Sequence, residues 1–127
     1  MRPETTLWID DAEYDQESAK AMLDSGRFFF VVFMCHLVAE KLLKAAIVER
    51  CAVEPPKMHN LIGLAARSGI SIPAEHRGIV NELDGMGVVI RYPDGRRALA
   101  DTLTEACTKG IYERTVEFAQ WLRREIG

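Results

Sequence analysis

Apolar residues recur along most of the chain at intervals of three and four positions, which is the period of one helical face. No segment shows the sustained apolar–polar alternation of a half-buried strand. A first helix is predicted from Thr5 or Thr6, whose hydroxyls can cap it, to the "DSGR" segment at residues 24–27, with Trp8 in its apolar stripe. A second is predicted over about residues 28–51, because "FFFVVFMCHLVA" is almost continuously apolar and "EPP" prevents continuation. The first half of this helix is expected to be covered by neighbours on nearly all sides, and its second half is expected to be amphipathic.

The middle of the chain predicts two shorter helices. One covers about residues 60–66 and begins at His59 or Asn60. The next begins at Pro73 and reaches roughly Leu83. Helices this short are expected to lie across one end of a bundle.

The segment "GMGVVIRYPDGRR" interrupts the helical pattern. Gly85 and Gly87 weaken a helix, and Pro93 followed by Asp-Gly predicts a turn. A last helix follows, with Thr102 and Glu105 as its capping box and apolar residues recurring on one face. The segment is therefore expected to be the long joining loop ahead of the last helix.

Length and composition place these helices in one domain over residues 1–127, an all-α up-and-down bundle of four to five helices. The formal charge of -3 gives no overall basic field for nucleic acid. The three cysteines form neither a CxxC pair nor a zinc-site spacing, so no metal, disulfide framework or cofactor is expected. The first residues lack the apolar core of a signal peptide, and no apolar stretch is long enough to cross a bilayer. We therefore expect a cytoplasmic protein without membrane contact.

Three polar side chains lie on one face of the predicted second helix. His36, Glu40 and Lys44 are spaced by four residues, which aligns them along the helix. In one interpretation they form a polar stripe in a groove or at a subunit interface, where Glu40 orients His36 and pairs with Lys44. In the other, Glu40 and Lys44 form an ordinary ion pair beside a histidine of the core. The spacing is compatible with both.

A second histidine, His59, lies in "PPKMHNL", between a rigid proline pair and a predicted helix. It is either a structural cap or loop anchor, or a titrating group beside a pocket.

An arginine in the interrupting segment has an unusual setting. Arg91 directly follows "VVI", three apolar β-branched residues. Such an arginine either pairs with a buried carboxylate, for which Glu40 is the candidate, or presents its donors to a bound phosphate. The plainer interpretation is a solvated turn that also exposes the basic pair Arg96 and Arg97.

Three short motifs in order carry a family resemblance. They are "LVAEKLLKAAI" on the second helix, "PKMHNL" before the third and "RYPDG" before the last. With these motifs the chain resembles the HEPN family, the nucleotide-binding domain of higher eukaryotes and prokaryotes, in its Arg-Tyr-Pro branch. The resemblance covers nearly the whole chain. It implies a helical bundle that pairs into a homodimer around a cleft, often as partner of a minimal nucleotidyltransferase in a toxin and antitoxin system.

Nuclease members of that family carry an arginine followed, after four to six residues, by a histidine on the helix beside the cleft. The resemblance gives the arginine the role of holding phosphate and the histidine that of acid/base catalyst. In this chain each histidine is separated from its nearest upstream arginine by eight residues, and no histidine follows Arg91. Ribonuclease activity therefore does not carry over, and we expect no catalytic residue.

The leading functional prediction is a homodimer that binds a nucleotide or another phosphate-bearing ligand, or that partners a nucleotidyltransferase. Arg91 holds the phosphate, while Tyr92 and Lys44 shape the cleft. The expected ligand-binding residues are Arg91, Tyr92, Lys44, Glu40, His36 and His59.

Two alternatives remain open from the sequence. One is a metal-independent ribonuclease acting on RNA, in which His59 or His36 meets Arg91 across the dimer cleft. The other is a purely structural interaction domain whose polar residues only join helices.

Overall fold

The computed structural model describes all 127 residues and contains six α-helices and no strand. The predicted all-α helical bundle is confirmed, with one helix more than the sequence indicated. The helices are α1 (Pro3–Asp24), α2 (Phe28–Cys51), α3 (Leu61–Ser68), α4 (Ala74–Val89), α5 (Pro93–Thr102) and α6 (Glu105–Ile126).

The central element is α2, which contacts all five other helices. The expected covering of its apolar first half is wrong in part, because Phe28, Phe29, Phe30, Phe33 and Met34 are only half-buried. The second half is the more deeply buried one. Leu42 and Leu43 are fully buried, and so are the small side chains of Ala45 and Ala46, which let neighbouring helices approach closely. The predicted bounds of α2 are confirmed.

The start of α1 differs from the prediction. The helix begins at Pro3, whose fixed φ suits the first turn, rather than at Thr5 or Thr6. The Thr5 hydroxyl is buried and donates to the carboxylate of Glu49 at 2.9 Å, so it joins α1 to the end of α2 instead of capping a helix. The predicted end is confirmed, since Gly26 adopts the left-handed conformation just beyond it, with φ 75°.

The third and fourth helices begin close to where they were predicted. Asn60 caps α3 by accepting from the backbone N–H of Gly63, so the alternative in which His59 caps this helix is wrong. The fourth helix begins directly after Pro73 but continues through both of its later glycines to Val89. These glycines do not end the helix, and one of them has a packing role described below.

The predicted turn at Pro93 is wrong, because this proline opens α5. A turn and a first helical turn both use the φ that proline fixes, so the local sequence suits either. The helix is possible here because Gly95 has no side chain. A Cβ at this position would lie 2.6 Å from the carbonyl oxygen of Val89. Glycine thus lets α5 pack against the end of α4.

The capping box predicted at Thr102 is also wrong. Thr102 is the last residue of α5, and its hydroxyl donates to the carbonyl of Leu99 at 2.8 Å. The cap of α6 is Thr104, whose hydroxyl oxygen accepts from the N–H of Cys107 at 3.1 Å. The extra turns of α5 move the helix start two residues further along the chain.

Candidate functional site

The three polar residues of α2 lie on a buried face that meets the loop before α3 and the last turns of α4. His36, Glu40 and Lys44 are all buried. Together with His59 and Arg91 they form what we call the polar seam.

Glu40 is the centre of the seam. One carboxylate oxygen accepts from the ammonium of Lys44 at 3.2 Å, and both oxygens lie 3.1 Å from Nδ1 of His59. The Nδ1 atom of His36 is 3.7 Å away, beyond hydrogen-bond distance. A buried carboxylate needs such partners to offset its lost hydration. The pair with Lys44 is therefore not the ordinary surface ion pair that the spacing also allowed.

His59 is held at one ring nitrogen and free at the other. Its side chain is 54% exposed, although Nδ1 contacts the buried carboxylate of Glu40. The loop that carries it is tied down where the N–H of Leu61 donates to Asp84 at 2.7 Å. Because Nδ1 is occupied, the far nitrogen Nε2 is the one available to a ligand or substrate. A carboxylate-oriented imidazole of this kind can accept or donate a proton.

His36 is a histidine of the core with an unusual contact. Its Nε2 atom is buried and has no hydrogen-bond partner. The ring lies against Gly87, where a Cβ would come within 2.5 Å of Nε2. Burial lowers the pKa of His36, an effect that Glu40 opposes and Arg91 reinforces. The imidazole is therefore neutral at neutral pH, and Gly87 is the glycine of α4 whose lack of a side chain the packing requires.

Arg91 is exposed, which the preceding "VVI" did not indicate, and the predicted pair with Glu40 is wrong. The carboxylate of Glu40 is already engaged by Lys44 and His59. The Nε–H of Arg91 instead donates to the carbonyl of Gly87 at 3.0 Å, one helical turn earlier. Its two terminal nitrogens have no hydrogen bond or ion pair.

The neighbours of Arg91 are also at the surface. Tyr92 directly precedes α5 and is 64% exposed. Arg96 is exposed and also lies over the ring of Phe29, 4.6 Å from its centroid. Arg97 is exposed.

The structure brings Arg91 and His59 to the same part of the seam. Arg91 donates to Gly87, which packs against the His36 ring, and His59 contacts Glu40, whose carboxylate lies 3.7 Å from the same ring. Lys44 is eight residues further along α2, about 12 Å at the rise of an α-helix.

Lys44 faces a groove between α1, the end of α2 and the loop before α3. The groove has a volume of about 970 Å³, and its lining includes Lys44 and Trp8 but neither Arg91 nor His59. The ammonium of Lys44 lies 5.5 Å from the centroid of the Trp8 ring. The sequence placed Trp8 only in the apolar stripe of α1. No local signal could have joined residues 36 positions apart.

Metal and membrane features are absent from the described chain. No cluster of three or more histidine, cysteine, aspartate or glutamate side chains is arranged to hold a metal ion. None of the six helices has the combination of length and apolar character that crossing a membrane requires.

Comparisons with known proteins agree with this architecture. Residues 5–126 match the family model of the HEPN domain. The crystal structure of ST0689, an archaeal HEPN homologue, is similar with a TM-score of 0.75 and 20% sequence identity, over 100% of both chains. No curated protein matches the chain. The family model spans nearly the whole sequence, and the chain therefore belongs to the HEPN domain family.

Proposed function

We propose that this chain binds a nucleotide or another phosphate-bearing ligand at the end of the polar seam that carries Arg91 and His59. The observation that carries the proposal is the state of Arg91. Its Nε–H is anchored to a backbone carbonyl, while the residue is exposed and neither terminal nitrogen has a partner.

A guanidinium in this state suits phosphate. Its parallel N–H donors match two phosphate oxygens, and the resulting charge-assisted bonds are stronger than neutral ones. Anchoring through Nε limits the side-chain freedom that binding would otherwise have to remove. His59 offers a second donor or acceptor nearby, at its Nε2 atom.

We also propose that the ligand-binding form is a homodimer with a cleft beside Arg91. Val88 and Tyr92, on either side of Arg91 in the chain, are large side chains left exposed in the single chain. Exposed apolar surface of this kind is typical of a site that a partner covers. Membership of the HEPN family supports the same proposal, and a minimal nucleotidyltransferase is the proposed second partner.

Calorimetric titration of the purified protein with ATP tests the ligand proposal. The Arg91→Ala variant is expected to bind at least about tenfold more weakly, since hydrogen bonds to a charged group contribute roughly 1.5–3 kcal/mol. Arg97→Ala is the matched control, because it removes an exposed arginine six residues away, and its affinity should stay within about twofold of wild type.

Two results would overturn the ligand proposal. One is the absence of binding by wild type at millimolar ATP, which would favour a structural interaction domain. The other is an equal loss of affinity in both arginine variants.

Copurification with a coexpressed nucleotidyltransferase tests the partner proposal, and sedimentation tests the dimer.

One observation favours ribonuclease as a second candidate. Glu40 holds His59 at Nδ1 and leaves Nε2 for chemistry. Nε2 would take the proton from a ribose 2′-hydroxyl, and Arg91 would stabilise the charge that develops on the phosphate. Overexpression should then arrest growth, and His59→Ala should relieve the arrest. Wild-type protein that leaves growth and cellular RNA intact would exclude this candidate.

A further inference from the structure

The groove at the Lys44 end is a separate concave site. Its volume of about 970 Å³ lies at the upper end of the range for small-molecule sites, roughly 300–1,000 Å³. Neither Arg91 nor His59 contributes to its lining, so the proposed phosphate site does not account for it.

The walls of the groove are mostly apolar. They come from the first turns of α1, the last turns of α2 and the proline-containing loop. The apolar lining includes Leu7, Trp8, Val48, Val53, Pro55 and Pro56. Leu7 is 69% exposed and Val53 is 54% exposed, so the mouth of the groove presents two large apolar side chains to solvent. An apolar ligand body would cover them.

A single buried cation lies in this lining. Lys44 is only 6% exposed, and its ammonium has three N–H donors. One donates to Glu40, and the charge also faces the Trp8 ring. Since His59 shares the same carboxylate, Glu40 is not a dedicated counter-charge for Lys44. The ammonium thus has donor capacity left although the residue is almost fully buried.

The other charges of the groove are already engaged or lie at its rim. The carboxylate of Asp11 contacts the ammonium of Lys41 at 2.6 Å. The backbone N–H of Arg2 donates to the side chain of Glu49, and its Nε–H donates to the carbonyl of the same residue. Glu4, Glu54 and Lys57 are exposed. Arg2 is also exposed and its terminal nitrogens have no partner, so Arg2 and Lys57 place two further cations at the rim. Lys44 is the one buried cation of the lining.

We propose that this groove binds a small monocarboxylic acid with an aromatic or branched apolar body. The carboxylate accepts a hydrogen bond from Lys44, and the body packs against Trp8, Leu7 and Val53. One buried ammonium matches the charge of a monoanion, whereas a phosphate dianion would require more donors than Lys44 alone supplies at the buried end of the groove.

Binding at this site also reaches the polar seam. A carboxylate that shares the ammonium of Lys44 competes with Glu40, and Glu40 holds His59. Occupancy of the groove should therefore perturb the ring protons of His59.

Titration of the full chain with 3-phenylpropionate, observed by NMR, tests the proposal. The neutral isostere 3-phenylpropanamide is the matched probe, and the indole N–H of Trp121, which does not line the groove, is the internal reference. The acid is expected to shift the Trp8 indole signal at millimolar concentration, and the amide to bind at least about fivefold more weakly, which corresponds to roughly 1 kcal/mol.

Three variants test the role of charge in the groove. Leu7→Glu adds a negative charge at the mouth and is expected to weaken binding of the acid by about fivefold or more, while Leu7→Gln leaves the preference for the acid intact. Leu7 is exposed, so neither change threatens the fold. Lys44→Met keeps the length of the side chain without its charge and should abolish the preference for the acid.

Several outcomes would overturn this proposal. Equal binding of acid and amide would show that Lys44 does not recognise the carboxylate. An unshifted Trp8 signal at millimolar acid would show that the acid does not bind in the groove. ATP is the competing probe. If ATP shifts the Trp8 signal, and Leu7→Glu reduces that shift more than it reduces the shift caused by the acid, the groove is assigned to phosphates instead. Arg91→Ala should leave binding of the acid unchanged, which keeps this test independent of the proposed phosphate site. If Lys44→Met fails to fold, the pair of Leu7 variants decides.

Discussion

The two cations of the polar seam differ in what surrounds them. Lys44 is buried between a carboxylate and an indole ring, whereas Arg91 is exposed and held only through Nε. Desolvation makes the partner of Lys44 necessary, since a buried charge without a partner is unstable. Solvation makes a partner for Arg91 unnecessary, so its terminal donors remain free. The same seam therefore has one cation that depends on the fold and one that is available for binding.

Substitution of Glu40, the partner of the buried Lys44, is expected to cause the largest loss of stability. Glu40→Gln keeps the shape but leaves the charge of Lys44 uncompensated, so the free energy of unfolding should fall by about 3 kcal/mol. Urea denaturation measures this. Glu82→Gln is the control, because it breaks a partly exposed pair with Arg114 (2.7 Å) and should cost less than about 1 kcal/mol. Equal losses would mean that burial does not distinguish the two pairs.

A substitution at the contact between α4 and His36 is expected to cause the next largest loss of stability. Gly87→Ala would place a methyl group 2.5 Å from Nε2 of His36, so it should cost about 1–3 kcal/mol through overpacking. Gly85→Ala in the same helix has no atom within 4 Å of the new methyl and should stabilise the protein by about 0.5–1 kcal/mol. Thermal denaturation compares the two. The same sign for both variants would show that His36 can move aside without cost.

Local spacing predicted only part of the seam. The alignment of Glu40 with Lys44 follows from a separation of four residues on α2, and the structure bears it out. The contact of Glu40 with His59 spans 19 residues and depends on how the loop after α2 folds back, which no periodicity encodes. The position of Arg91 was misjudged because only one of the three apolar residues before it, Ile90, is buried.

The fold was more predictable than the site for a related reason. Apolar periodicity reports burial over whole helices, so α2 was located accurately. Where two local rules use the same backbone conformation, tertiary packing decides. Pro93 suits a turn or a helix start, and the close approach of Gly95 to the end of α4 is what the helix requires.

The stability of the fold should also depend on pH through the buried imidazole of His36. Burial lowers the pKa of His36 below its unfolded value of about 6.5, so its neutral form is favoured in the fold. The associated stability is complete above pH 6.5 and is lost as the pH falls toward the lower folded pKa, with a slope of at most about 1.4 kcal/mol per pH unit for one proton. Urea denaturation between pH 7 and pH 5 measures the slope.

His36→Gln isolates the contribution of this group to the pH dependence. The variant should show a flatter dependence than wild type over that interval, whatever its absolute stability. Glu40 and Asp84 favour the charged imidazole, while Arg91 and His59 oppose it, and all four are retained in the comparison. An unchanged slope would assign the dependence to other groups.

Substitution of the exposed Arg91 is expected to change the stability least. Arg91→Ala removes one hydrogen bond at the surface, to the carbonyl of Gly87, so the free energy of unfolding should change by about 0.5 kcal/mol or less. Urea denaturation at neutral pH is the measurement, and Arg97→Ala is the control. If Arg91→Ala instead cost as much as Glu40→Gln, the guanidinium would be a structural partner of the seam. Its free donors would then be no evidence for a ligand, because the side chain would already be fully used by the fold.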